Sequence, residues 1–201
     1  IPSIEIMNEL ADKLIANRQK RGAPNIETSE SKLIINDEQL CIDVKPRTRG
    51  KSEMIIEEFM LLANESAARL AREKQIPFVY RIHETPSPEK IDDLKSGLRR
   101  LNVEIPVFSQ VKPSHLAEIL TNAKDKPFYP VVNMMTLRSM AKAKYHTEPV
   151  GHFGLALDDY AHFTSPIRRY PDLFIHRVIS QYLNDNNNKI EIKNDISTSK
   201  K

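Results

Sequence analysis

The chain predicts an α+β fold, mostly helical with a small antiparallel or mixed sheet, on three observations. Apolar residues recur at helical spacing along most of its 201 residues. The strand-like runs are few, short and bounded by turn residues. Runs of helices are interspersed with only a few antiparallel strands, which argues an α+β domain. The sequence shows no internal repeat and no interdomain linker.

Residues 3 to 19 place Ile4, Met7, Leu10, Leu14 and Ile15 at helical spacing. Lys20-Arg21-Gly22-Ala23-Pro24 ends that helix with basic residues, a glycine and a proline. Residues 31–36 and 39–45, joined through Asn36-Asp37-Glu38, read as a β-hairpin. A basic turn from Arg47 to Ser52 precedes a long helix to Arg72 with no proline or glycine inside. Phe78 to Ile82 reads as a short strand. Pro86-Ser87-Pro88 opens a helix to about residue 101, with Glu89, Asp92 and Asp93 near its positive end. Two further helices are predicted over 114–124 and 131–144, and ordinary loops over 103–113 and 145–150. A loop with Gly151 and Gly154 leads to a proline-rich corner, and a last amphipathic helix runs from 172 to about 184.

Composition is globular, with 40% hydrophobic and 28% charged residues, enough for one domain with a sizeable core. A net charge of +3 means that any nucleic-acid binding must come from locally focused charge. The single cysteine, Cys41, rules out an internal disulfide and has no zinc-type spacing. Its strand context predicts a buried, inert thiol. No stretch approaches the ~20 apolar residues that span a bilayer, and the first residues lack a signal-peptide pattern. A cytoplasmic location without membrane contact is the expectation. The start at Ile1 and the polar end suggest an excised piece, with 186–201 a polar tail or loop.

The corner His162-Phe163-Thr164-Ser165-Pro166-Ile167-Arg168-Arg169-Tyr170-Pro171-Asp172-Leu173 sets two arginines between two prolines. Each proline suits the start of a helical turn, and Ser165 is a natural N-cap. An elbow of this kind holds guanidinium forks near helix starts, which suits a phosphate; arginines paired with structural carboxylates fit as well. The run Gly151-His152-Phe153-Gly154-Leu155-Ala156-Leu157, through this corner to His176-Arg177, resembles the signature of the ribonuclease II family, most nearly its bacterial exoribonuclease R branch. Lys20-Arg21-Gly22-Ala23, Ile55 through Glu65, and Tyr80 through Pro86 agree in the same order. The resemblance covers the chain to about residue 185.

Within the long helix, Glu57, Leu61, Asn64 and Ala68 fall on one stripe, beside Glu58, Leu62, Glu65 and Arg69. Glu57 and Asn64 are expected to face inward, able to accept ribose hydroxyls or to satisfy buried backbone groups. The resemblance implies that one acid of the Glu57-Glu58 pair contacts the RNA sugar, and helical geometry favours Glu57. In the run Tyr80-Arg81-Ile82-His83, Arg81 suits a phosphate and Tyr80 a stacked base, or else a core ring beside surface charge. The histidines have no metal-ligand spacing. Adjacent carboxylates such as Asp92-Asp93 and Asp158-Asp159 diverge by about 100° on a helix and are expected to be solvated.

The resemblance implies a processive 3′→5′ exoribonuclease that hydrolyses single-stranded RNA to nucleoside 5′-monophosphates with Mg²⁺. It implies Arg168 as the catalytic contact to the scissile phosphate and Arg169 as a weaker RNA contact. Ser165, Pro166, Tyr170, Pro171 and Asp172 are expected to shape the elbow. The family's aspartate cluster for the metal, of the form Asp-x₅-Asp-x-Asp-Asp, is missing from this sequence. Residues 1–185 are therefore expected to be the C-terminal part of a ribonuclease II-type catalytic domain, inactive alone and prone to self-association. A non-catalytic RNA-binding module and a regulatory protein-interaction domain of the same fold are the alternatives.

Overall fold

The computed structural model of the protein describes residues 2–26, 31–46 and 50–184. The expected tail over 186–201 and the 47–49 part of the basic turn lie outside them. Among the described residues there are six α-helices and two two-stranded antiparallel sheets, so the mostly helical α+β expectation holds.

Helix α1 (Pro2–Lys20) carries Glu5 in its first turn and Arg18 and Lys20 in its last, in the sense the helix dipole favours. Gly22 closes it at φ +80°, and a Cβ there would lie 2.6 Å from the Ser114 Cβ. Only glycine fits that combination. Strands β1 (Ser31–Ile35) and β2 (Cys41–Pro46) form the expected hairpin, with Leu33 opposite Val44. The Asn36 carboxamide oxygen accepts the Glu38 and Leu40 N–H groups and so fixes the turn. Leu33, Ile35, Leu40, Ile42 and Val44 are all exposed. Cys41 is exposed too, which corrects the expected buried thiol. Strand alternation specifies an extended backbone, not a layer to cover it.

Helix α2 (Lys51–Glu73) follows. The chain forms two compact units, and α2 gives its residues up to Leu61 to the first and those from Leu62 to the second. Composition suggested one core; each unit has its own cluster.

The first unit adds α3 (Pro88–Arg100), α4 (Pro113–Ala123), α5 (Tyr129–Ser139) and a 3₁₀ turn (Phe153–Leu155). Leu98, Leu116, Ile119 and Val132 have essentially no exposed surface and anchor its core, each burial contributing about 1.5–3 kcal/mol. Ser87 caps α3 through its hydroxyl, with Pro88 at the first helical position. Helix α5 stops at Ser139, short of the expected residue 144. The Lys90 Nζ donates to the Met140 carbonyl (3.2 Å), and the His83 Nε2 donates to the Ala141 carbonyl (2.7 Å). The proton sits on Nε2 because the Gly154 N–H donates to Nδ1 at 2.8 Å. A tertiary donor thus takes the Met140 carbonyl that a helix to residue 144 would have used.

The second unit holds β3 (Tyr80–Ile82), β4 (Lys144–His146) and α6 (Tyr170–Asn184). Strand β3 pairs with β4 so that Arg81 lies opposite Tyr145. Strand β4 takes the first residues of the loop expected at 145–150; three residues of strand are too few to show alternation. Ala67, Ala68 and Ala71 give α2 a smooth face in a core with Ile76, Phe78, Tyr80, Ile82, Ala161, Ile175 and Val178. No described helix is long and apolar enough to cross a membrane.

Candidate functional site

The elbow belongs to the second unit and is built on buried polar anchors. Pro166 opens a turn in which the Arg168 and Arg169 N–H groups both donate to the Ser165 carbonyl, at 3.3 and 3.1 Å. Ser165 thus acts through its carbonyl. The Arg169 carbonyl then accepts the Leu173 N–H and starts α6, with Pro171 in the first turn. Asp172, with no exposed surface, is the hub: its Oδ1 accepts the Ser165 N–H (2.8 Å) and the Arg169 Nη2 (2.7 Å). Its Oδ2 and the Arg169 Nε are buried without a hydrogen-bond partner.

Asn64 fixes the approach to the elbow. Its Oδ1 accepts the Phe163 and Thr164 N–H groups at 2.8 and 3.2 Å, and its Nδ2 donates to the Tyr160 hydroxyl at 3.1 Å. At 3% exposure, with its oxygen taken by two backbone N–H groups, Asn64 fills the second of the two roles expected for it, satisfying buried backbone rather than reading RNA. From α6, His176 stacks on Phe163 (centroids 4.1 Å apart, planes at 6°) and bonds the Phe163 carbonyl at 2.8 Å.

The result separates the two arginines. Arg169 is consumed by Asp172, with 21% of its side chain exposed. Arg168 is exposed, and its guanidinium has no hydrogen-bond or ion-pair partner among the described residues. Tyr170 is 64% exposed, so its ring does not brace the elbow as expected. Its backbone opens the helix.

Beside the elbow runs a chain of rings that sequence reasoning did not assemble. The Arg81 guanidinium lies 4.7 Å from the Tyr145 ring centroid. The Tyr145 hydroxyl bonds the His162 Nδ1 at 2.9 Å, and Tyr160 meets His162 and His152 edge-on. Burial lowers His162 to about 4, and the charges of Arg169, Arg81 and Arg168 push the same way, with Asp172 opposing. His162 is therefore a neutral ring among three guanidiniums. Tyr80, 4% exposed and packed against Phe78, is a core ring, which corrects its expected role as a base-stacking surface. Asp159, expected in solvent, is buried and pairs with Arg72 at 3.0 Å; burial raises its pKa.

In the first unit, Glu58 rather than Glu57 is the inward residue. It is 4% exposed and bound to Arg18 at 2.7 Å, while Glu57 is half-buried. Burial raises the Glu58 pKa, partly countered by Arg18. No sequence signal pointed from α2 to Arg18, 40 residues away.

The implied Mg²⁺ does not fit these residues. Among the described residues no three His, Cys, Asp or Glu side chains come together as a ligand set. Asp172 and Asp159 are both held by arginines.

A family model described as the RNB domain matches residues 1–185. Ribonuclease R of Thermotoga maritima is 44% identical over 179 residues, covering 89% of this chain and 25% of that protein. Ribonuclease R of Escherichia coli is 42% identical over 183 residues, covering 91% of this chain and 22% of that one. The chain thus spans about a quarter of the length of these relatives. The structure of Mycoplasma genitalium RNase R in complex with ribose-methylated single-stranded RNA superposes with a TM-score of 0.86 at 35% identity, over 91% of this chain and 29% of that one.

Proposed function

The chain belongs to the RNB-domain family, and on that premise we propose that it is part of a processive 3′→5′ exoribonuclease releasing nucleoside 5′-monophosphates from single-stranded RNA. The observation that carries this reading is the division of labour at the elbow. Asp172 and Asn64 lock the backbone, Arg169 locks Asp172, and Arg168 is left as an exposed guanidinium on a rigid support. A planar fork carried on an anchored backbone, with no protein carboxylate to compete for it, suits the charge that builds on a phosphoryl group during hydrolysis. Arg168 is assigned to the scissile phosphate, and Arg81 to a neighbouring one. Glu57 is assigned to a ribose hydroxyl. The 35% identical RNase R with single-stranded RNA bound supports the substrate class.

Mg²⁺ is proposed as the cofactor of the whole protein. Because no ligand cluster exists among the described residues, the stretch alone is proposed to be inactive. It is also proposed to self-associate when isolated, since its hairpin exposes five large apolar side chains, Leu33, Ile35, Leu40, Ile42 and Val44. The single cysteine fits a reducing, cytoplasmic setting.

The test is a timed digest of 3′-extended single-stranded RNA with Mg²⁺ by the full-length protein, wild type beside Arg168→Ala. Loss of one such electrostatic contact should cut turnover by about 10²–10³. An unchanged rate removes Arg168 from the chemistry. The missing ligand cluster favours, as second reading, an RNA-binding module that does not hydrolyse. Salt-sensitive binding without cleavage by the wild type would establish it.

A further inference from the structure

Strand β4 carries a feature that the elbow does not use. Its three residues Lys144, Tyr145 and His146 are all exposed, a basic–aromatic–imidazole run in a chain with a net charge of only +3. Tyr145 retains 39% of its surface in solvent, although it sits in the register position facing Arg81. Its ring is oriented at two points. Arg81 lies over it at 4.7 Å, and its hydroxyl is tied to His162 at 2.9 Å. Through the neutral range the tie joins two uncharged groups, because burial lowers His162 to about 4.

An exposed tyrosine is ordinarily free to turn about two side-chain torsions. This one is held with a cation against it, in a region where Arg81, Arg168 and Arg169 all act on one histidine. Asp172 cancels only the charge of Arg169. The remaining positive charge calls for an anion, and the ring beside it offers a flat apolar surface. Single-stranded nucleic acid supplies both, a phosphate for the cation and a base for the ring.

We propose that Tyr145 and Arg81 form a nucleotide platform in the second unit, on which one base of the RNA stacks while its phosphate meets Arg81. This rests on the proposed reading of the chain as RNA-handling and adds to it a base-contacting residue on β4. The hydrogen bond to His162 positions the ring. Contact is through the π-face, so the platform is indifferent to base identity.

The test uses the full-length protein with EDTA present, so that RNA is bound without being degraded. Single-stranded RNA substituted with 5-iodouridine is irradiated on the protein, and the adduct is mapped by peptide mass spectrometry. The expected adduct lies on Tyr145. Affinity is measured in parallel for Tyr145→Phe, which keeps the ring, and for Tyr145→Ala. Stacking predicts a loss of about five- to a hundredfold for alanine and less than about twofold for phenylalanine. Equal losses in both variants would mean that only the bond to His162 matters, and the platform would be wrong. Wild-type affinity in Tyr145→Ala, or adducts confined to other residues, would overturn it as well. Both results leave the RNA reading intact if the wild type binds. A wild type that binds no RNA ends both proposals at once.

Discussion

Two doublets of like residues, Glu57-Glu58 on α2 and Arg168-Arg169 at the elbow, are treated the same way by the fold. In each, one member is drawn into a short ion pair: Glu58 to Arg18, and Arg169 to Asp172, both at 2.7 Å. The other member is left closer to solvent. The difference lies in where the partner comes from. Asp172 is three residues from Arg169, so the elbow closes on itself. Arg18 reaches Glu58 from a separate helix. A local pair acts on the shape of its own loop, whereas a distant pair acts on helix packing. The Arg169 pair should therefore be the more costly to break at its carboxylate, since the same Asp172 oxygen also holds the Ser165 N–H.

Asp172→Ala probes that contrast hardest. It leaves a largely buried arginine and a backbone donor without an acceptor, and should destabilise by about 3–5 kcal/mol in denaturant unfolding. A loss below about 1 kcal/mol would mean that the elbow does not depend on its carboxylate. Asn64→Ala comes next. It abandons the Phe163 and Thr164 N–H groups and should cost about 2–3 kcal/mol by the same measurement. In the full-length protein the proposed RNA cleavage should fall with it, since the elbow loses its brace. Rescue of the rate at low temperature would separate that bracing role from direct RNA contact.

Acid sharpens the comparison further. His162 titrates near 4 when folded and near 6.5 when unfolded, so the unfolded chain takes up the proton first. Its stabilising contribution is complete above pH 6.5 and is lost as the pH falls towards about 4. After allowance for partial solvent access this amounts to about 1–2 kcal/mol. His162→Gln should flatten the stability profile in that window. An unchanged profile would place the titrating group elsewhere. On the helix side, Glu58→Gln should cost less than about 1 kcal/mol at pH 7, because the burial that raises its pKa already offsets much of the attraction of Arg18. A loss comparable to that of Asp172→Ala would erase the distinction between local and distant pairs.

Sequence reading reached what short-range physics dictates. The helices came from periodicity, and the hairpin from alternation around Asn36. The prolines of the elbow located its turn and the start of α6. What it missed depends on partners far along the chain. Asn64 is committed to backbone groups 99 and 100 residues away, and Glu58 to another helix. Tyr145 emerged only once β4 was seen beside β3. Cys41 shows the converse error, where a strand pattern was credited with a cover it lacks. The marks that read as functional in sequence thus divide, in the fold, into side chains that build the site and side chains left to act from it.

The smallest expected effect tests that division most directly. The exposed Arg168 side chain makes no hydrogen bond or ion pair among the described residues, so Arg168→Ala should leave stability within about 0.5 kcal/mol of wild type. Its neighbour Arg169→Ala, one residue on, should destabilise by several times more, because a buried Asp172 would lose its cation. Thermal unfolding of the two variants side by side decides the matter. Matched losses would make both arginines structural and leave the phosphate without its proposed ligand. An Arg168→Ala that is neutral for stability yet removes turnover in the full-length protein would mean that this guanidinium serves chemistry alone, while its neighbours build the backbone that carries it.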